Sequence, residues 1–144
     1  MLLDIANEND IDSIEECGKT CLPLFYKKNE LLSMLNNEQF KIIKATQGNE
    51  LLGFLLLSTN SDKNIVHIMS FAIYLQHRNK QIGTKMLDLV KQIFSDKNIT
   101  LFVQTTNKPA IKFYKKNDFI IMKEKKDYYT NLANNNAYAM IYLI

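Results

Sequence analysis

The residues whose types and spacing could do chemistry begin at a turn rich in charge and amide groups, His77-Arg78-Asn79-Lys80-Gln81-Ile82-Gly83-Thr84. An apolar stretch, Ile65 to Tyr74, runs into it, and a helix-periodic stretch, Ile82 to Phe94, runs out. The first turn of a helix leaves four backbone N–H groups without intrahelical partners, at the positive end of the helix dipole. Arg78 and Lys80 before that end, with the small Gly83 inside it, suit an anion such as a pyrophosphate. The same residues also describe an ordinary strand-to-helix turn whose charges are solvated. Other reactive side chains are sparse. Cys17 and Cys21 stand four apart in a helical stretch, which is neither a redox motif nor a zinc framework. Free, buried or half-buried thiols in a reducing compartment are the expectation, and no metal site is expected. The two histidines are His67, inside the apolar stretch, and His77, polar and loop-borne and expected at the surface.

The spacing of apolar residues predicts the elements that hold this turn. Ile82, Met86, Leu89 and Ile93, with Leu87 and Val90 beside them, share one helical face. Upstream, Met1 to Ala6 reads as an edge strand. Ile11, Ile14, Cys17, Gly18 and Cys21 make a helix that Pro23 ends, and Tyr26 to Asn37 reads as a second helix, with Leu31, Leu32, Met34 and Leu35 apolar. Gln39 to Thr46 and Leu51 to Thr59 form a hairpin about Gln47-Gly48-Asn49-Glu50. After a turn at Asn60 to Asn64, Ile65 to Tyr74 is the third strand of the meander. Ile99 to Gln104 must lie parallel to that strand, because a helix connects them. A helix from Lys108 to Asn117 carries Pro109 in its first turn, where proline is tolerated. Asp118 to Lys123 is a strand, Lys123 to Thr130 a charged connection tipped by Tyr128 and Tyr129, and Ala137 to Ile144 the strand that closes the sheet. The fold class is α+β: a mixed, mostly antiparallel sheet with one parallel βαβ crossover and helices on both faces.

The chain as a whole excludes several classes. It has 144 residues, 47% of them hydrophobic and 23% charged, as a single globular domain would. A net charge of +3 permits an anionic ligand without requiring nucleic acid. The Asn and Lys richness reads as composition bias. The N-terminus lacks a basic stretch followed by an apolar core, so no secretory signal is expected. The longest apolar run, Leu51 to Leu57, falls far short of the ~20 residues of a membrane span. A soluble, cytoplasmic protein with no membrane partner is expected. Lys112, Lys115, Lys116, Lys123, Lys125 and Lys126 form a basic run that reads as a solvated face. No nucleic-acid-binding motif accompanies it, so a nucleic-acid partner is not expected.

R-N-K-Q-I-G, at Arg78 to Gly83, resembles the acetyl-CoA-binding motif Q/R-x-x-G-x-G/A of the GNAT acyltransferase superfamily. IGTKML, then LFVQTTNKPAIKFYKKNDF, then KKDYY, is similar to the catalytic subunit of NatE-type protein N-alpha-acetyltransferases. The similarity is dense from Ile65 to about Leu132 and thin before residue 20. Gln81 departs from it, standing where the family has its first glycine; if φ is positive there, a strain of ~1 kcal/mol or more follows.

The resemblance implies acetyl-CoA as cofactor and the α-amine of a protein or peptide N-terminus as acceptor, and it leaves room for partner subunits of an acetyltransferase complex. Such a transfer needs a neutral amine beside the thioester, a donor for the carbonyl oxygen and a thiolate that can leave. No Ser-His-Asp or Cys-His constellation is visible, which fits direct attack. By resemblance, Phe71, Ala72 and Ile73 lie against the pantetheine arm on a bulged strand, and Arg78, Asn79, Lys80, Gln81, Ile82, Gly83 and Thr84 wrap the pyrophosphate. Asn107 and Tyr114 contact the cofactor, with the Tyr114 hydroxyl near the sulfur; a helix cap and a rim aromatic are their plain alternatives. The family places a tyrosine before the motif and a histidine in the next strand. Here His67 takes the tyrosine's position and Phe102 the histidine's, so His67 is the candidate base, directly or through a water. The alternative is a strand histidine bonded to a backbone carbonyl. Leu22, Pro23, Leu24 and Tyr26 resemble one substrate loop, and Tyr128, Tyr129 and Leu132 the other. An apolar pocket there implies a preference for Met followed by a large apolar residue. Rival readings are an acetyltransferase acting on lysine side chains or a small-molecule amine, and an acyl-CoA-binding partner subunit with weak catalysis.

Overall fold

In the computed structural model, which describes residues 1–59, 62–130 and 132–144, Leu2–Ile5 (β1), Phe40–Gln47 (β2), Glu50–Ser58 (β3) and Ile65–Ile73 (β4) pair in succession, all antiparallel. β3 is apolar on both faces and buried along most of its length, as a strand covered on both sides must be. Ile82–Ile93 (α3) then crosses over, and Asn98–Gln104 (β5) returns parallel to β4. Lys108–Lys116 (α4) leads to Ile120–Lys125 (β6) and Ala137–Tyr142 (β7). The sheet order is β1-β2-β3-β4-β5-β7-β6.

Ala137–Tyr142 does not close the sheet, as expected from the sequence; it inserts between β5 and β6, bonded on both sides. The apolar AYAMIY suits that interior place, and the charged IIMKEK of β6 suits the edge. Of the turn expected at Asn60 to Asn64, Asn60 and Ser61 lie outside the described residues.

Helices cover both faces. Ile11–Cys21 (α1) and Lys28–Leu35 (α2) pack on one, where Ile11, Ile14, Cys17 and Leu31 meet Ile42, Phe54 and Leu56. This layer holds no residue of β5, β6 or β7. On the other face Met86, Leu87, Val90 and Ile111 meet Ile43, Leu55, Leu57 and Leu101. Helix α2 starts two residues later than its periodicity suggests. Lys27 is its N-cap, and the Glu30 carboxylate accepts from the Lys27 N–H at 2.9 Å. In α3 the buried stripe is Ile82, Gly83, Met86, Leu87 and Val90; Ile93, expected on that face, is the last residue of the helix and is 46% exposed.

Candidate active site

The site begins where two parallel strands part. β4 and β5 pair from Ile65–Asn98 to Ile68–Leu101 and no further. β4 stays on β3 as far as Ile73, and β5 stays on β7 as far as Gln104. The cause is in β4: between Ile68 and Ser70 the register with β3 slips by one residue, leaving Met69 as a bulge. Beyond the bulge the strands diverge and a cleft of about 190 Å³ opens between them. Ile68, Met69, Ser70 and Phe71 form one wall, and Leu101 to Gln104 the other. The inner edge of β4 has no strand partner beyond Ile68 among the described residues, so its backbone groups are available to an extended ligand.

The anion turn closes one end. Leu75–His77 makes a short 3-10 turn, and the Arg78 guanidinium donates from Nε to the Ile73 carbonyl at 2.9 Å. Asn79 and Gln81 have φ of 61° and 67°, so the glycine position of the motif is left-handed, as feared for a glutamine. Asparagine tolerates that region and glutamine does so poorly. The Lys85 N–H bonds the Gln81 carbonyl at 3.0 Å, starting α3's own ladder and leaving the N–H groups of Ile82, Gly83 and Thr84 without helical acceptors. Gly83 is small for a packing reason too: a Cβ there would stand 2.8 Å from Phe113 Cζ and 3.2 Å from Ile73 Cδ1. These features fit a diphosphate.

Two loops roof the cleft. Leu22, Pro23 and Leu24 line it from the end of α1, and Tyr129 and Leu132 from the β6–β7 connection. Phe25 anchors the first loop, its ring on Gly18 of α1 and 5.2 Å from Phe54. The second is held by asparagines. Gln104 Nε2 donates to the Asn134 carbonyl at 2.8 Å, Tyr129 N–H to the Asn135 carbonyl at 2.9 Å, and Leu132 N–H to Asn135 Oδ1 at 3.1 Å. Aromatic rings join loop to strand: Tyr128 stacks on Phe102 at 4.4 Å and meets Tyr129 edge-on at 4.9 Å. Tyr26 approaches Tyr128 from the opposite loop; burial raises the Tyr26 pKa, and the Tyr128 phenol raises it further.

Tyr114 and Asn107 line the cleft from α4. Asn107 caps that helix, its Oδ1 accepting from the Ala110 N–H at 3.3 Å, so Nδ2 is its remaining donor. Burial pushes the Tyr114 hydroxyl far above its ordinary range, with Tyr129 adding to the shift; burial likewise pushes Tyr129 up to about 12. Tyr114 is thus a hydrogen-bond donor that never ionises near neutrality. His67 is half-buried on the face of β4 that carries α1 and α2, with Nδ1 2.7 Å from Thr100 Oγ1 and its ring 5.3 Å from that of Phe102. Burial lowers its pKa, and the Lys125 ammonium lowers it further, so the imidazole is neutral at pH 7.

The structure thus gathers Phe71, Asn107, Tyr114, Leu22, Pro23, Leu24, Tyr129 and Leu132 on one cleft, with Tyr26 and Tyr128 at its mouth. His67 is one ring removed, behind Phe102. Ala72 turns its side chain into the α1/α2 core, and Ile82 into the α3/α4 core, so only their backbones face the ligand side. His77 is not a surface residue: its Nε2 is buried, 3.5 Å from Glu50 Oε2. Cys17 is buried and Cys21 half-buried, both free. The sequence reading missed Met69, Ser70, Gln104 and the asparagine scaffold. Among the described residues no group of His, Cys, Asp and Glu could hold a metal ion, and no helix is long and apolar enough to cross a membrane.

Known proteins share this fold. An N-alpha-acetyltransferase of Sulfurisphaera tokodaii is 26% identical over 94% of this chain and 88% of its own length. N-alpha-acetyltransferase 50 of Danio rerio is 37% identical over a shorter span, 52% of this chain and 47% of its own. Among solved structures, Ard1 from Thermoplasma volcanium superposes with a TM-score of 0.85 at 25% identity, covering 99% of this chain and 98% of its own. Arabidopsis thaliana Naa50, in complex with the bisubstrate analogue CoA-Ac-MVNAL, also gives 0.85 with the same coverage, at 23% identity, a likeness of fold. The profile of the Acetyltransferase (GNAT) family matches residues 2–119, both diverging strands and the anion turn included. The chain belongs to the GNAT family and is an acetyl-CoA-dependent N-acetyltransferase.

Proposed function

We propose that this enzyme acetylates the α-amine of protein N-termini. The observation that carries the reading is the roof of the cleft. Leu22 to Leu24 from one loop and Tyr129 and Leu132 from another line the cleft together, as a seat for a chain end would require. The names of the relatives point the same way.

The N–H groups at Ile82 to Thr84, with Arg78 and Lys80, would hold the cofactor's diphosphate, and the free edge of β4 its pantetheine arm. When bound, acetyl-CoA supplies an acetyl thioester, whose carbon gains the substrate's nitrogen as the C–S bond breaks. Tyr114 donates its O–H toward the sulfur. Its pKa lies above the ~8.5 of an ordinary thiol, so the hydrogen bond stabilises developing thiolate without surrendering the proton outright. His67 takes the amine's proton, directly or through a water. That role requires the tautomer in which Nδ1–H donates to Thr100 Oγ1 and Nε2 accepts. The α-amine, with a pKa of ~7.7–8.0, is already partly neutral at pH 7. We place an apolar first pair, Met before a large aliphatic residue, among the preferred substrates, and leave docking on partner subunits to the same loops' outer surfaces.

The test is thiol release from acetyl-CoA across peptides varied in their first two residues, each paired with an N-terminally blocked control carrying a lysine. Turnover confined to free N-termini is expected. Equal turnover of the blocked peptides would move the substrate to side chains.

A further inference from the structure

On the side of the sheet that carries α1 and α2, no helix packs on β5, β7 and β6 among the described residues. That open half begins at the cleft's mouth, and Phe102 marks the border. It lines the cleft and also stacks under Tyr128 outside it. Across the strands the register runs Phe102–Ala139–Lys123 and, one step toward the loop, Gln104–Ala137–Lys125. Alternation puts Phe102, Lys123 and Lys125 on one face. Lys125 Nζ stands 4.7 Å from the centre of the Phe102 ring and 5.8 Å from that of Tyr128. It is held over the mouth by the rings that frame it.

Among the described residues no carboxylate pairs with this shelf: neither Lys123 nor Lys125 is ion-paired. Glu124, opposite Tyr138, alternates to the other face. Glu30, across the mouth near Tyr26, is engaged by the Lys27 N–H. Lys126 and Asp127 follow in the turn, both exposed and opposite in charge.

We infer that Lys125 and Lys123 form a second specificity determinant, which selects acidic side chains at the third to fifth residues of the protein N-terminus being acetylated. The inference rests on reading the cleft as the seat of a chain end. If the first two residues fill the cleft, the next three span ~10 Å of extended chain. That is about one Debye length at 0.1 M salt, so both ammonium groups act on them. An Asp or Glu there meets two unpaired cations and a polarised aromatic floor. A Lys or Arg meets repulsion.

The experiment measures binding and turnover separately, on the intact protein. Met-Leu-Gly-Gly-Gly, Met-Leu-Asp-Glu-Gly and Met-Leu-Lys-Lys-Gly are titrated by calorimetry into protein saturated with CoA, and assayed by thiol release with acetyl-CoA. The acidic peptide should bind and turn over better than the neutral one by about 1.5- to fivefold per lysine at low salt, with the basic peptide worst. The order should compress at high salt. In Lys123→Gln/Lys125→Gln the three peptides should converge, and Lys125→Glu should favour the basic one. An acidic preference that survives the double variant, or a wild-type enzyme indifferent to these positions, overturns the inference. Failure of the N-terminal reading shows separately, as absent turnover of the neutral peptide, and the calorimetric ratio still reads the shelf.

Discussion

Gly18→Ala sets two opposed effects against each other inside α1. In an isolated helix the change would stabilise by ~0.8–1.0 kcal/mol, because glycine is a poor helix former. Here the new Cβ would stand 2.5 Å from Cγ of Phe25, and closer still to Cδ2 and Cε2. Carbon pairs settle at ~3.5–4.0 Å, so the ring must retreat by ~1 Å or more. It has little room, with Phe54, itself fully buried, at 5.2 Å and Tyr26 at 5.5 Å. Overpacking of this kind costs ~1–3 kcal/mol. The net expectation is a loss of ~0–2 kcal/mol, against the gain that helix propensity alone predicts.

The functional consequence is sharper than the stability change. Phe25 follows directly on Leu22 to Leu24, so moving its ring moves one wall of the cleft. Misplacement by ~1 Å can reduce turnover ~10²-fold. Peptide kcat/KM should therefore fall by ~10- to 100-fold in Gly18→Ala. The KM for acetyl-CoA should change less, because the N–H groups of Ile82 to Thr84, which would hold the diphosphate, belong to α3 and not to this loop. Steady-state kinetics in each substrate, with urea unfolding alongside, reads both. Phe25→Leu in the same chain should recover part of the loss by freeing space. A Gly18→Ala enzyme that is more stable and keeps its peptide kinetics would refute the account of how this loop is held.

If His67 is the base, kcat/KM should fall as pH drops through a pKa below the ordinary ~6.5, since burial and then Lys125 both favour the neutral ring. Lys125→Gln removes one of those causes, so the acid limb of the pH profile should move up while staying under the ordinary value. His67→Ala should abolish that limb, and Thr100→Val, which removes the group that orients Nδ1, should lower kcat with little effect on the KM for acetyl-CoA. Gln81→Gly should stabilise the fold by about 1 kcal/mol in urea melts, because left-handed strain of ~1–3 kcal/mol exceeds glycine's ~0.5–1 kcal/mol of extra unfolded-state entropy. Tyr114→Phe should lower kcat by ~10- to 100-fold, the worth of a hydrogen bond to a charged group, and leave the melting temperature unchanged or raised.

What the sequence made legible was the part of the site that is contiguous in the chain. The stretch from Phe71 to Thr84 is strand, turn and helix start in order, and each has a local signature: apolar run, charge, then helical period. The positive φ at Gln81 followed from one misfit with a glycine position. The substrate side has no such continuity. Leu24, Tyr129 and Leu132 meet only because α1 and the β6–β7 connection fold over opposite walls of the same cleft. The asparagines that fix the second loop read in the sequence only as a turn, since Asn134 to Asn136 acquire meaning only through Gln104, Tyr129 and Leu132. The misplaced β7 has a similar cause: a hairpin-like succession of strands does not say on which side the last one pairs, and only the charge of β6 hinted that β6 would be the edge.

The exchange of histidine and phenylalanine between neighbouring strands follows from the same geometry. The rings of His67 and Phe102 lie 5.3 Å apart across the β4–β5 junction, on either side of its last pair, Ile68–Leu101. On the proposed mechanism an imidazole on either strand reaches the same small volume, so the base can change strands without leaving the site. The other position is then released from proton transfer. Phe102 uses that release to stack on Tyr128 and to carry Lys125 above its face. Lys125 in turn adds to the burial that keeps the imidazole neutral. Returning histidine to position 102 in a His67→Tyr background should therefore restore turnover lost in His67→Tyr, yet loosen the Tyr128 loop and weaken discrimination at the third to fifth substrate residues. Restored turnover with discrimination intact would separate the two roles of Phe102 and leave the shelf to the lysines alone.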